Sequence, residues 1–147
     1  MRWVLVSGPN AALQEFHLLQ NDECIVVLKY NPLHRSARVI SGQYQRLFFM
    51  QSAGALTGKN IFMNEYGLEV GSLTSEKWGN NGGTLIIEEK KFTYKVQNSS
   101  ELTVSDSAQH STSCNLKPES IDNNYLLLGL CWYLHLPVVK EKLEYAA

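Results

Sequence analysis

The segment from Tyr125 to Val139, YLLLGLCWYLHLPVV, is the longest apolar run in the chain and limits the folds that it can adopt. It is too long for an ordinary strand, and it lacks the polar face that a surface helix presents to water. A helix that is hydrophobic on every side must be buried, either inside a protein or in a membrane. We therefore expect the rest of the chain to be organised around this segment.

The residues that precede this segment alternate between short apolar runs and clusters of turn-forming residues. No helical periodicity interrupts the series, and the long crossovers that parallel strands require are absent, so we predict an antiparallel meander. The predicted strands are Trp3–Ser7, Glu15–Leu19, Cys24–Tyr30, Ala37–Ile40, Tyr44–Gln51, Asn60–Asn64, Leu68–Thr74, Thr84–Glu88, Lys91–Val96, Glu101–Ser105 and Ser113–Leu116.

A closed barrel offers the most direct way for such strands to bury the apolar segment. About eight strands make a barrel that its own side chains fill, whereas a larger barrel leaves a lumen that a central helix can occupy. A helix over about 122–136, which Pro137 ends, would be roughly 20 Å long, close to the height of a six-residue strand. We predict a mainly β protein, with one domain over 1–147: roughly twelve antiparallel strands over about 3–117, a central hydrophobic helix, and a short terminal segment over 138–147.

Two alternatives remain open for the apolar segment. A membrane-spanning helix needs about 20 apolar residues, and this run is shorter and contains Pro137. A β-sandwich with a helix docked on its surface would leave no reason for apolar residues on every helix face. The closed barrel is the preferred interpretation, and no membrane span is expected.

The charge of the chain is nearly balanced overall but unevenly distributed. A formal net charge of −1 gives no general affinity for nucleic acid, so no nucleic-acid partner is expected. Residues 1–60 contain six Lys and Arg and three Asp and Glu, a net charge of +3, which leaves −4 for the remainder. The sequence therefore predicts a weakly basic surface on one side of the fold.

The cysteines and the first residues indicate a reducing compartment. Cys24, Cys114 and Cys131 are odd in number and form no CxxC pair, so we interpret them as free, buried thiols. The apolar stretch Trp3–Val6 is too short for the core of a signal peptide. A cytoplasmic location follows as an expectation.

The predicted architecture resembles the tubby C-terminal-like superfamily, which includes the phospholipid scramblases and the plant LURP-one-related proteins. Two stretches carry the resemblance: Ile121–Leu136, with its polar lead-in before LLLGLCWYL, and Asn60–Leu73, NIFMNEYGLEVGSL, with its short glycine turn. The resemblance implies a twelve-stranded barrel around a hydrophobic C-terminal helix. It also implies that lysines and arginines on the barrel wall bind phosphoinositide headgroups.

The sequence departs from the scramblase pattern in three respects. It has no cysteine-rich palmitoylation run, no proline-rich N-terminal tail and no acidic calcium-binding stretch. It is also shorter than typical members of the superfamily. Scramblase activity is therefore not carried over.

The candidate ligand-binding residues are basic: Arg35, Arg38, Arg46 and Lys59. Arg38 and Arg46 are each four residues from Gly42, the centre of a predicted hairpin, so we expect them to face each other across the strand pair. Arginine can bind phosphate with two parallel hydrogen bonds. The alternative is that these are ordinary solvated strand positions.

Other chemical motifs in the sequence are weak. Ala53–Asn60 resembles a P-loop but lacks the first Gly and the final Ser or Thr. Cys131 and His135 lie one helical turn apart as half of a metal site, and no second pair completes it. We predict no catalytic residues, no metal site and no cofactor.

We therefore expect a non-enzymatic binding or adaptor module that recognises an anionic phospholipid headgroup or a phosphorylated ligand on its basic strands. Two alternatives remain: a structural barrel that presents a surface to a protein partner, and a small enzyme with a cleft formed by loops.

Overall fold

A computed structural model of the protein describes residues 1–8, 11–54, 58–75, 82–97 and 101–115. These residues form eleven β-strands that close into a barrel, in which strands that follow each other in sequence are neighbours. The strands are β1 (Arg2–Leu5), β2 (Gln14–Gln20), β3 (Glu23–Asn31), β4 (Ser36–Ser41), β5 (Tyr44–Ser52), β6 (Lys59–Asn64), β7 (Glu69–Ser75), β8 (Gly82–Ile87), β9 (Lys90–Gln97), β10 (Glu101–Asp106) and β11 (Ser111–Asn115).

All eleven strands predicted from the sequence are present, and their bounds shift by a few residues. The alternation that predicted β9 is confirmed: Phe92 and Tyr94 are buried, whereas Thr93 and Lys95 are exposed. Such alternation arises because successive side chains of a strand point to opposite faces of the sheet. One face of each strand therefore lines the barrel and the other faces water.

The barrel closes through β1 and β11, which are parallel, whereas every other neighbouring pair is antiparallel. An antiparallel meander with an odd number of strands must bring its first and last strands together in the same direction. Arg2 pairs with Asn115, and the Asn115 amide donates to the carbonyl of Met1 at 2.9 Å. The wall thus closes with eleven strands, where about twelve were expected.

The predicted helix over about 122–136 and the predicted terminal segment over 138–147 lie outside the described residues. Among the residues that are described, there is no helix with the length and apolar character that a membrane crossing requires.

The meander places alternate connections at opposite ends of the barrel. We call one end the turn end, because the connections after β2, β4, β6, β8 and β10 are short turns there. The connections after β1, β3, β5, β7 and β9 meet at the other end, which we call the loop end. Every side chain can therefore be assigned to an end and to a face from the strand pairing alone.

Two of the turns have positive φ at both central residues, which is typical of type I′ hairpins. Asn21 and Asp22 join β2 to β3 with φ of 51° and 62°. Glu88 and Glu89 join β8 to β9 with φ of 47° and 70°. The sequence predicted this second turn at Glu89-Lys90, one residue too late, because the pattern gave no Asn or Gly to mark its position.

The inner face of the barrel is a continuous apolar core. Its largest side chains are no more than 1% exposed: Trp3, Phe16, Leu18, Leu28, Val39, Phe48, Phe62, Leu73, Leu85, Ile87, Leu102 and Val104. Burying a side chain of this size contributes about 1.5–3 kcal/mol. The apolar inner face is therefore the main source of stability in the described part of the fold.

Close approach between β7 and β8 requires glycine at Gly83. A Cβ atom placed there would lie 2.0 Å from the carbonyl oxygen of Thr74 and 2.6 Å from the hydroxyl of Tyr94. Neither separation is compatible with van der Waals radii, so a larger residue would push the two strands apart.

Candidate anion-binding site

Beyond Glu23, the first residue of β3, strands β3 to β6 carry only positive formal charge. No Asp or Glu occurs between Glu23 and Glu65, whereas five basic residues do: Lys29, Arg35, Arg38, Arg46 and Lys59. These strands are consecutive neighbours in the barrel. The charge asymmetry predicted from the sequence is therefore concentrated in one contiguous part of the wall.

The closest pairing of cations in this sector is between β3 and β4. Lys29 and Arg38 are direct cross-strand partners. The neighbouring pair, Leu28 and Val39, is buried in the core, so Lys29 and Arg38 project from the outer face. Side chains at directly opposed positions lie about 4.5–5.5 Å apart at Cβ. The register thus places two cationic groups side by side on the outside of the barrel.

The guanidinium of Arg38 lies beside the side-chain amide of Gln45. The amide oxygen of Gln45 accepts from Nε of Arg38 at 3.2 Å and from Nη1 at 2.9 Å, with the amide oriented to satisfy its neighbours. Both residues are exposed. A guanidinium oriented in this way loses less side-chain freedom when it binds an anion.

A carboxylate borders the cationic pair on β2. Glu15 is the cross-strand partner of Lys29, and its Oε1 lies 2.7 Å from Nε2 of His17. Along the outer face the row therefore runs Glu15, Lys29, Arg38, and then the apolar Leu47 of β5. The positive charge is centred on β3 and β4.

Arg46 lies on the other face of the wall from Arg38. It pairs with the buried Val39, whereas Arg38 pairs with Leu47. Arg46 therefore points into the mouth of the barrel at the turn end, where Nη1 forms an ion pair with Oε1 of Glu88 at 3.2 Å. The prediction that Arg38 and Arg46 face each other is wrong.

The reason is the centre of the β4–β5 turn. Ser41 pairs with Tyr44, so the hairpin is centred between Gly42 and Gln43 and not on Gly42. A shift of one residue in register moves a side chain to the opposite face of a sheet. A hairpin centred on Gly42 would put Arg38 and Arg46 on the same face of the sheet. In the observed hairpin they lie on opposite faces.

Arg46 lines a cleft at the turn end with a volume of about 260 Å³. The other residues that line it are Gln45, Leu47, Phe48, Asn64, Glu65, Tyr66, Val70 and Glu88. A more open groove of about 570 Å³ adjoins it along β7 and β8 and includes Glu69, Glu88 and Glu89. The cleft and the groove at the turn end therefore present mainly carboxylates, and Glu88 neutralises the positive charge of Arg46 there.

The two remaining predicted residues lie at the loop end. Arg35 belongs to the turn between β3 and β4, and its Nη2 donates to Oδ1 of Asn60 at 3.5 Å. Lys59 begins β6 and pairs with Thr74. The four predicted residues thus occupy three places: the outer wall for Arg38, the loop end for Arg35 and Lys59, and the mouth for Arg46.

Sequence reasoning missed Lys29 as a site residue. The signal was present, because β3 and β4 form a hairpin about the turn Pro32–Arg35, and pairing about the centre of this turn places Lys29 opposite Arg38.

The cysteines do not provide a reactive centre in the described part of the chain. Cys114 is buried, and burial raises its pKa to about 12. Cys24 is exposed, which corrects the expectation that it is buried, although partial burial of its thiol still raises its pKa. Among the residues that the structure describes, no group of three His, Cys, Asp or Glu is arranged to hold a metal ion. The predicted half-site of Cys131 and His135 lies outside those residues.

Comparison with known proteins identifies no relative. No protein-family model matches the sequence, no curated protein matches it, and no solved structure matches its fold. The resemblance to the tubby C-terminal-like superfamily therefore stays a prediction.

Proposed function

We propose that this protein is a non-enzymatic binding module that recognises an anionic group, a phospholipid headgroup or a phosphorylated ligand, on the outer wall formed by β3 and β4. The observation that carries the proposal is the direct opposition of Lys29 and Arg38, within a stretch of the chain, residues 24–64, that contains no Asp or Glu. Arg35 adds a third cation at the loop end, where its Nη2 donates to Oδ1 of Asn60 at 3.5 Å.

Two adjacent like charges raise the energy of the unliganded protein. Like charges directly opposite each other in a sheet are destabilising, by an amount of the order of 0.2–1 kcal/mol. An anion that lies between Lys29 and Arg38 converts this repulsion into two attractive contacts. Within the described residues, no carboxylate is in ion-pair contact with Lys29, Arg35 or Arg38. These groups can therefore contact a phosphate without breaking an ion pair.

The chemistry of the two side chains fits phosphate. Arginine presents a planar fork that can contact two phosphate oxygens, and lysine adds a compact charge with three donors. The amide oxygen of Gln45 can accept from Nε and Nη1 of Arg38, which favours one orientation of the guanidinium before a ligand arrives. An exposed site of this kind binds weakly and its affinity falls as salt rises.

The experiment is binding of inositol hexakisphosphate at low ionic strength, together with co-sedimentation with phosphatidylcholine vesicles that do or do not contain phosphatidylserine. The variant Lys29→Ala/Arg38→Ala should bind both anionic probes about 10- to 100-fold more weakly, the loss of about two charge-assisted contacts. Arg46→Ala is the matched control, because it also removes one arginine but from the mouth of the barrel. It should bind as the wild type does.

Two results would contradict the proposal. One is wild-type protein that binds neither anionic probe at low salt. The other is a double variant that binds as tightly as the wild type while Arg46→Ala weakens binding, which would move the site to the mouth.

We also propose that the apolar segment Tyr125–Leu136 fills the barrel as a central helix, as the resemblance to the tubby C-terminal-like superfamily implies. A barrel of eleven strands is wider than its own side chains can fill, yet the large inner side chains are no more than 1% exposed. This near-complete burial supports an apolar occupant of the lumen.

The test of this second proposal is Leu128→Asp. A carboxylate inside the lumen would be buried without a partner, which prevents folding. A Leu128→Asp protein that stays soluble with an unchanged thermal midpoint would rule out the helix as the occupant.

A further inference from the structure

The most exposed large apolar side chain in the described structure lies at the tip of the cationic hairpin. Leu33, in the turn between β3 and β4, is 86% exposed. Its position is fixed, because Oδ1 of Asn31 accepts hydrogen bonds from the backbone amides of Leu33 at 3.0 Å and of His34 at 3.3 Å. The hairpin thus holds a leucine in water at the loop end.

A second exposed leucine lies at the same end, on the neighbouring strand connection. Leu13 is 46% exposed and immediately precedes Gln14, which pairs with Tyr30. Leu13 therefore lies next to Asn31, the residue that begins the Leu33 turn. We call Leu13, Leu33 and Arg35 the loop-end rim.

The loop-end rim and the cationic pair are separated by a distance that matches a lipid headgroup layer. Lys29 and Arg38 lie two residue pairs behind the Asn31–Ser36 pair, which corresponds to about 7 Å along the strands. The polar layer on each side of a bilayer is about 5–8 Å thick, and interfacial apolar groups reach about 5–10 Å into it. A leucine at the acyl boundary would thus place the two cations level with the lipid phosphates.

The opposite end of the barrel also has exposed apolar side chains, but the charged residues that surround them are acidic. Leu68 is 63% exposed and follows Tyr66 in the β6–β7 turn, but Glu65 and Glu69 flank this turn. An anionic surface would repel it. The two ends therefore differ in charge, while both present an exposed leucine.

We propose that the loop-end rim is a membrane-docking surface, in which Leu33 and Leu13 insert into the interfacial layer of an anionic phospholipid bilayer while Lys29, Arg35 and Arg38 contact the headgroups. This inference rests on the proposed function and chooses the lipid surface as the source of the anionic group. A soluble phosphorylated ligand would provide no apolar environment for Leu33, whereas a bilayer provides one next to its phosphates. The cationic wall also orients the barrel, because each basic side chain near an anionic leaflet adds to the attraction.

The experiment compares Leu33→Ser with Leu68→Ser, which removes the same side chain at the acidic end. Both variants and the wild type are tested for co-sedimentation with phosphatidylcholine–phosphatidylserine vesicles and for binding of soluble inositol hexakisphosphate. Leu33→Ser should bind vesicles at least about tenfold more weakly than the wild type, which is the loss of affinity expected when one inserted leucine is removed. It should bind inositol hexakisphosphate as the wild type does, and Leu68→Ser should match the wild type in both assays.

A second measurement locates the side chain directly. Trp fluorescence of Leu33→Trp should be quenched by vesicles that contain brominated lipids, by more than the fluorescence of the wild type or of Leu68→Trp. Equal quenching of all three would overturn the proposal.

Different results would overturn the docking surface and the anion site. Vesicle binding that is the same for Leu33→Ser and the wild type, with soluble polyphosphate still bound, overturns the docking surface and leaves the anion site in place. Absence of binding to both probes overturns the anion site, and the docking surface with it.

Discussion

Lys29 and Arg38 lie directly opposite each other on β3 and β4, on the outer face of the barrel, with Glu15 as the next residue along the row. This arrangement has a cost in stability, because like charges at opposed positions repel. It is therefore informative about function, since either residue could be replaced by a neutral β-former without disturbing the core.

The first prediction concerns this repulsion. Arg38→Thr should raise the free energy of unfolding by about 0.2–1 kcal/mol at low ionic strength, since it removes a like-charge pair. The gain should shrink as salt screens the charges. Urea unfolding at low and high salt measures both effects. Arg46→Thr is the control and should not stabilise, because it breaks the ion pair with Glu88; stabilisation by both variants would show that the register is not the cause.

The second prediction concerns the close contact of β7 and β8. Gly83→Ala should lower the free energy of unfolding by about 1–3 kcal/mol, as expected for overpacking, because its Cβ would meet the Thr74 carbonyl oxygen at 2.0 Å. Gly8→Ala is the control, since no atom lies within 4 Å of a Cβ at that position. Chemical unfolding of the two variants is the measurement. Equal stability of both proteins would contradict the described strand spacing.

The third prediction concerns the turn between β8 and β9. Glu89 has a φ of 70°, in the left-handed region, where a side chain with Cβ is strained by about 1–2 kcal/mol. Glu89→Gly should therefore stabilise the protein by about 0.5–1 kcal/mol, after allowing for the larger entropy of glycine in the unfolded chain. Asp22→Gly is the corresponding change in the β2–β3 turn and should gain less, because Asp tolerates this conformation better than Glu and because the change also removes the ion pair between Arg2 and Asp22. The two thermal midpoints decide the comparison.

The fourth prediction concerns the thiols. Burial raises the pKa of Cys114 to about 12, so about one part in ten thousand of this group is thiolate at a pH near 8. Cys24 is exposed and should react with iodoacetamide before Cys114 does. Peptide mass spectrometry of the folded protein should find Cys24 labelled and Cys114 unmodified until denaturant is added. Early labelling of Cys114 would mean that the seam near β11 opens readily.

Much of the wall could be predicted because strand periodicity is a local signal. The alternation in β9 and the turn residues Asn21 and Asp22 are each visible within a few residues of sequence. The predicted position of the β8–β9 turn was one residue too late, because Glu88 and Glu89 adopt positive φ although they are not the residue types that usually indicate it. Tertiary pairing evidently outweighs local preference at that turn.

The candidate site was harder to predict because it depends on register. Arg38 was identified, but its partner on the outer face is Lys29 and not Arg46. A single-residue difference in the centre of a hairpin exchanges the inner and outer faces, and no local pattern in residues 36–50 determines that centre. Sequence alone could therefore name cations without assigning them to a common surface.

The sequence by itself determined the class of the fold and the sign of its charged sector, since strand alternation and the absence of carboxylates between Glu23 and Glu65 are properties of the chain. Only the tertiary structure decided that eleven strands close the wall through a parallel β1–β11 seam, that Arg46 joins Glu88 at the mouth, and that Leu33 lies at the end where the cations are. The physical reason is that closure, register and the assignment of residues to faces and ends depend on contacts between strands that are distant in sequence, and these contacts have no counterpart in local periodicity.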